Sequence, residues 1–239
     1  MSDDDGAAIE GWVHRPPNIG DTDGDSNTVG VVRSVAPAKM ATKSILLIVH
    51  RTLDVKNWLL RPPKVQEARP GRCPRCHCAS RPTGGPLGMH GHGQRDRQVL
   101  GPPEIGLPAT RSVVACRRYL CTSCDAVVMV VPRGIEPRRH YGRAAICLAL
   151  ALWALAGQPT TEVRTQVCAW PGRATTSWRT LGRWATAVAS GDWPWCRTAA
   201  GLDARGAAAR AAQIAAGLAP AKTPGPIWVQ AYAGGAALI

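Results

Sequence analysis

The sequence contains no phenylalanine and only three tyrosines, against nine tryptophans. Arginine far outnumbers lysine, and alanine crowds the C-terminal part. These skews match the bias of a GC-rich coding sequence, so a single arginine or alanine is a weak functional signal. Long apolar runs are also missing. The longest, Ala144 to Gly157, falls short of the ~18–20 residues a membrane-spanning helix requires and reads as a buried core helix. The opening Met-Ser-Asp-Asp-Asp-Gly is acidic and lacks the apolar stretch of a secretory signal. The expectation is a reducing, cytoplasmic setting with no membrane partner. There, nine cysteines point to metal or redox chemistry rather than to structural bridges.

Negative charge is confined as well. Residues 1–40 carry seven acidic and three basic residues, whereas residues 41–239 carry nine acidic and 26 basic ones, and the whole chain has a net charge of +13. A body this basic repels itself unless a polyanion screens it. Such charge suits nucleic acid first and an anionic membrane surface second, and nucleic acid is the partner expected here.

Residues 1–40 are polar and turn-rich without hydrophobic periodicity, which predicts a disordered acidic tail. The run Asp21-Thr-Asp-Gly-Asp-Ser-Asn lacks the bidentate glutamate and flanking helices of a calcium loop. Met40 opens a different composition and marks a candidate start of the folded unit, or of translation. Residues 41–135 form a strand–helix lead-in followed by a metal-binding region. Ser44 to His50 reads as a buried strand, and Thr52 to Leu60 as a short helix capped by Thr52 and stopped by Pro62 and Pro63. Ser80 to Thr110, rich in glycine and proline, reads as loop with a short strand at Arg95 to Leu100. Arg111 to Leu120 and Ala126 to Val131 favour strand, giving a small antiparallel sheet of two or three strands. From Arg138 the period changes to helix. Residues 136–192 read as a helical domain, with a stripe from Tyr141 to Leu155 and then helices at Thr160 to Cys168 and Thr175 to Ala189. Residues 193–239 hold an alanine-rich helix, Asp203 to Leu218, and an apolar tail from Ile227 whose structure the pattern leaves open. The fold class expected is α+β.

Two C-x-x-C pairs, Cys73/Cys76 and Cys121/Cys124, are the strongest chemical signal. Each can present two sulfurs from one tight turn, and two such knuckles brought together supply the four thiolates of a tetrahedral Zn2+ site. The 44 residues between Cys76 and Cys121 exceed the ~15–20 of compact ribbons, so the glycine- and proline-rich insert is expected to loop out. Cys78 or Cys116 remains an alternative to one of the four. Cys147, Cys168 and Cys196 read as packing residues. Four thiolates leave no open coordination position, so no enzymatic activity is expected from the metal.

The helices at Thr160 to Cys168 and Thr175 to Ala189 have helix-turn-helix proportions. The outward residues of the second are Thr176, Ser177, Arg179, Thr180 and Arg183. Arg179 and Arg183 share a face at i, i+4 and suit guanine edges or phosphate. A second basic cluster surrounds the cysteine pairs: Arg72, Arg75, Arg81, Arg95, Arg97, Arg117, Arg118, Arg133, Arg138 and Arg139. Its expected role is phosphate contact, which adds affinity without sequence choice.

The order of Cys-Pro-x-Cys, a loop with His90-Gly-His-Gly and Arg95-x-Arg97, the stretch Cys-Arg117-Arg118-Tyr119-Leu-Cys-x-x-Cys, and then Trp178-Arg179-Thr180-Leu181 with Arg183-Trp184 resembles the N-terminal zinc-ribbon and helix-turn-helix region of bacterial insertion-sequence transposases. It is also similar to stand-alone bacterial proteins of that layout. The resemblance covers roughly residues 44–190 and implies double-stranded DNA binding with structural zinc at Cys73, Cys76, Cys121 and Cys124. It does not extend to a catalytic half. A two-metal strand-transfer site needs three carboxylates on an α/β core, and beyond residue 144 the only acids are Glu162, Asp192 and Asp203. The expectation is therefore a transposase-related DNA-binding protein that is not an enzyme, acting as a homo-oligomer or beside a transposition or recombination partner. The alternative is a zinc-ribbon protein-interaction module or accessory factor that does not read DNA itself.

Overall fold

A buried apolar strand needs a neighbour on each side, and Val127 to Pro132 is buried along its whole length. In the computed structural model, which describes residues 46–170, 178–199 and 201–238, this segment is an inner strand of a four-stranded sheet. The predicted acidic tail at 1–40 lies outside the described residues, all of which fall within one unit, Thr42–Ile239. Among them are four strands and seven helices, a mixed α+β architecture.

The chain enters through β1 (Leu46–Asp54). The helix expected from Thr52 starts later, as α1 (Val55–Leu60), because Asp54 and not Thr52 is its cap: the carboxylate accepts from Asn57 N at 2.8 Å. A single turn, α2 (Val65–Ala68), follows. Then come β2 (Met89–Gly101), β3 (Thr110–Cys121) and β4 (Val127–Arg133). The strand order is β1-β4-β3-β2. The β2–β3 and β3–β4 pairs are antiparallel, but β1 lies parallel to β4, with Leu46 opposite Val127 and His50 opposite Val131. The expected two- or three-stranded antiparallel sheet is thus a larger, mixed one.

The expected loop-out between the cysteine pairs is also corrected. The insert folds as a long hairpin, in register from Met89 opposite Cys121 to Gly101 opposite Thr110. The strand expected at Arg95 to Leu100 is the second half of β2, and the glycines hide the first half from a propensity reading. They are absorbed in a bulge between Gly91 and Gln94, where Gly93 takes φ +83°.

The helical part is built on α3 (Arg143–Ala154), whose residues Ala145 to Leu152 are all buried. Around it stand α4 (Thr160–Val167), α5 (Arg179–Ala189), a short 3-10 segment (Pro194–Ala199), α6 (Ala204–Gly217) and α7 (Ile227–Ala237). Tyr141, Trp178 and Trp184 meet edge to face, with ring centroids 5.0–5.9 Å apart. The apolar tail is α7, and it lies very close to α6 and α3. A Cβ on Gly234 would fall 1.6 Å from Ala215 O, and one on Gly235 2.9 Å from Cys147 Sγ. The buried alanines of α6, including Ala208, Ala212 and Ala215, share this core with α3, α5 and α7.

A second core lies under the sheet, around Trp58, Tyr119, Met129 and Val130. The two cores meet at residues 134–143. There Leu100 N donates to His140 O at 2.7 Å, Arg143 N to Gly134 O at 2.7 Å, and a buried Arg143–Glu136 ion pair closes at 2.5 Å.

Candidate metal centre and basic surface

Both cysteine pairs sit in the same backbone turn. His77 N donates to Cys73 O at 2.9 Å and Cys73 N to Cys78 O at 3.0 Å; Asp125 N donates to Cys121 O at 3.0 Å and Cys121 N to Ala126 O at 3.0 Å. In each turn the fifth residue is left-handed, His77 at φ +59° and Asp125 at φ +55°. Two knuckles of one geometry therefore face each other. The first comes from the chain leaving α2 and the second from the β3–β4 connection. Arg75 straps them together by donating to Cys124 O at 3.1 Å.

The four sulfurs converge. Cys73 Sγ is 3.7 Å from Cys124 Sγ, Cys76 Sγ is 3.6 Å from Cys121 Sγ, and all four lie within 4.8 Å of one another. A tetrahedron with metal–sulfur bonds of about 2.3 Å has edges of about 3.8 Å, so the residues present fit a tetrahedral metal ion. Burial pushes the Cys121 thiol up, yet the backbone N–H groups of Ser123 and Cys124 and the neighbouring thiols outweigh it and hold the group down at about 7. The two competing cysteines stand outside the quartet. Cys78 is exposed, and Cys116 is buried opposite Arg95, its thiol pushed up to about 11 by burial. None of the nine cysteines forms a disulfide.

The predicted DNA-contacting arginines divide into those with internal partners and those without. On β2, Arg97 donates to the carbonyls of Glu136 and Arg139, each at 3.3 Å, and so holds the junction segment. Arg139 in turn lies over the Trp193 ring at 5.9 Å. On β3, Arg117 donates to Pro63 O at 3.3 Å. These three side chains are engaged in the fold. Arg95, Arg118, Arg138, Arg179 and Arg183 have no hydrogen-bond or ion-pair partner among the described residues. Arg95 and Arg97 alternate along β2 opposite Cys116 and Val114, and Arg118 continues the Cys116 row on β3, so the pleat puts all three on one face. Arg138 is exposed within the segment that Arg97 clamps.

On α5, Leu181, Trp184, Ala185 and Val188 are buried, while Arg179 and Arg183 are exposed and Thr180 half-buried. The helix begins at Arg179, four residues later than its periodicity predicts, with Trp178 non-helical at φ −95°, ψ 88°. Thr176 and Ser177 lie outside the described residues. Residues 168–178 separate α4 from α5, and both helices pack on α3. Five of the acidic side chains are committed within the fold. Glu136, Glu67 and Glu104 pair with Arg143, Arg61 and Lys56, and Asp54 and Asp203 cap α1 and α6.

Sequence reasoning missed the engaged roles of Arg75, Arg97 and Arg117. Each grips a carbonyl at least 39 residues away in the chain, and no local pattern announces such a contact. Together, fold and site define an α+β protein with a four-cysteine centre able to hold a metal ion and an uncompensated set of surface arginines. No family model, no curated protein and no solved structure matches the chain. No helix among the described residues is long and apolar enough to cross a membrane.

Proposed function

We propose that the protein binds duplex DNA and that a zinc ion at Cys73, Cys76, Cys121 and Cys124 stabilises the scaffold that presents its arginines. The observation that carries this reading is the uncompensated charge. Five of the carboxylates beyond residue 40 are committed to ion pairs or helix caps, while Arg95, Arg118, Arg138, Arg179 and Arg183 have no partner among the described residues. Exposed cations in such excess favour a polyanion, whose condensed counterions are released on binding.

The two groups of arginines have different parts. Arg95, Arg118 and Arg138 on the sheet side contact phosphate. Arg179, Thr180 and Arg183 on α5 face the major groove, as the second helix of a helix-turn-helix formed with α4. Zinc is the metal because a closed tetrahedral set of four thiolates suits it and leaves no vacant position for substrate. The resemblance to the N-terminal region of insertion-sequence transposases supports the same assignment. The chain is then a DNA-binding protein of that kind without strand-transfer chemistry of its own, acting in the cytoplasm as a homo-oligomer or beside a recombination partner.

The test is fluorescence anisotropy with labelled duplexes. Arg179→Ala/Arg183→Ala is expected to weaken binding and reduce discrimination between sequences. Arg95→Ala/Arg118→Ala/Arg138→Ala is expected to weaken binding to all duplexes alike and lower the salt dependence by about one unit for each arginine–phosphate pair removed. Wild-type affinity in both variants would end the proposal.

A further inference from the structure

A cleft of 460 Å³ lies on the described part of the fold, away from the four cysteines. Leu59 and Leu60 of α1 form one wall, Val99 and Leu100 of β2 another, and Ala145 of α3 and Ala236 of α7 the third. Across its mouth Lys56 Nζ donates to Glu104 Oε1 at 2.6 Å, joining α1 to the β2–β3 connection. Tyr232 Oη donates to Pro102 O at 2.9 Å and ties α7 to the same connection. The cleft is thus built from sheet, helix and connection together, in the size range of small-molecule sites and with their predominantly apolar lining.

Its charged groups are few, and one is unmatched. Lys56 and Glu104 neutralise each other. Asp54 accepts from Asn57 N and Asn57 Nδ2 at the start of α1 and forms no ion pair with Arg133, although the two face each other in the β1–β4 register. Arg133, at the end of β4, lines the cleft with its Nε buried and without an acceptor. Its terminal nitrogens also have no partner among the described residues. A guanidinium left this way beside an apolar wall accepts a planar carboxylate on its fork, with the rest of the ligand on the leucines.

We infer that this cleft binds a small amphiphilic carboxylate, with the anionic end on Arg133 and the apolar body between α1, β2 and α3. The site is separate from the DNA-contacting arginines and does not depend on that function. A cationic amphiphile would place its charge against Arg133, and a neutral one would leave the guanidinium unmatched.

Isothermal titration calorimetry with octanoate, 1-octanol and octylammonium tests this on the full chain. Octanoate is expected to bind with one saturable site. Arg133→Gln is expected to weaken octanoate at least tenfold while leaving 1-octanol unchanged. Ala144→Leu, which fills the cleft and keeps Arg133, is expected to abolish both, with a thermal melt showing that each variant is folded. The inference is overturned if folded wild-type protein gives no saturable octanoate binding, if Ala144→Leu binds octanoate as wild type does, if Arg133→Gln binds it undiminished, or if octylammonium binds as tightly.

Discussion

Arg138 occupies the left-handed region at φ +59°, a conformation that costs a non-glycine residue about 1 kcal/mol. Its neighbours hold it there: Arg97 grips the carbonyls on either side, Arg139 lies over Trp193, and Glu136 is locked to Arg143. A strained position carrying an unpartnered charge suits a contact residue. Arg138→Gly is therefore expected to weaken DNA binding while leaving thermal stability nearly unchanged, because the relieved strain is offset by the roughly 0.4–1 kcal/mol that glycine's freer unfolded chain costs; a large loss of stability, or unchanged binding, would count against that role. His50 makes a second prediction. Burial lowers its pKa, the Ile135 carbonyl it contacts at 2.9 Å works the other way, and the Arg143 charge adds to the lowering. A histidine lowered on folding favours the neutral form, so its contribution is intact above about pH 6.5 and is lost as the pH falls through the lowered value. Melts at pH 7.5 and 5.5 should show a smaller acid loss for His50→Gln than for wild type. At this scale the cysteine quartet was legible in advance, because each sulfur pair is set by its own four-residue turn. The arginines were not. Whether Arg97 or Arg95 is free depends on where residues 136–139 pass, and that is a property of the fold.

The secondary-structure elements show how local pattern and tertiary pairing divide the work. β4 and α3 read correctly because burial on all sides leaves continuous apolar runs. β2 is legible only over Arg95 to Leu100; its first half is not, because pairing with β3 overrides the poor strand propensity of His90-Gly-His-Gly. α7 gave no amphipathic signal, because it touches α3 and α6 through small residues and is apolar nearly all round. This contrast predicts opposite outcomes for two glycine substitutions. Gly234→Ala would drive a methyl group into Ala215 O and is expected to lower the melting temperature sharply or prevent folding. Gly182→Ala, at an exposed position of α5 with nothing within 4 Å of the new Cβ, is expected to stabilise by about 0.5–1 kcal/mol. Thermal melts of the two variants decide it; equal effects would contradict the packing described for α7.

Across the described fold, two apolar cores are joined through the 134–143 segment, and the cysteine quartet belongs to the sheet-side core. The α+β class was visible in the change of period near Arg138. The parallel pairing of β1 with β4 was not, since it unites residues about 80 positions apart. The four cysteines act as one clamp, so Cys73→Ser and Cys121→Ser should each lose one equivalent of zinc per chain and unfold the sheet side while much of the helical circular dichroism persists. Retained metal in either variant would contradict a shared site. The central claim, that the surplus positive charge serves duplex DNA, is tested most directly by the slope of log affinity against log salt for the zinc-loaded wild-type chain. The three arginine–phosphate pairs of Arg95, Arg118 and Arg138 predict a slope of about −2.7, at about 0.9 for each phosphate neutralised. An affinity that stays flat as salt rises, or no measurable binding at low salt, would contradict it.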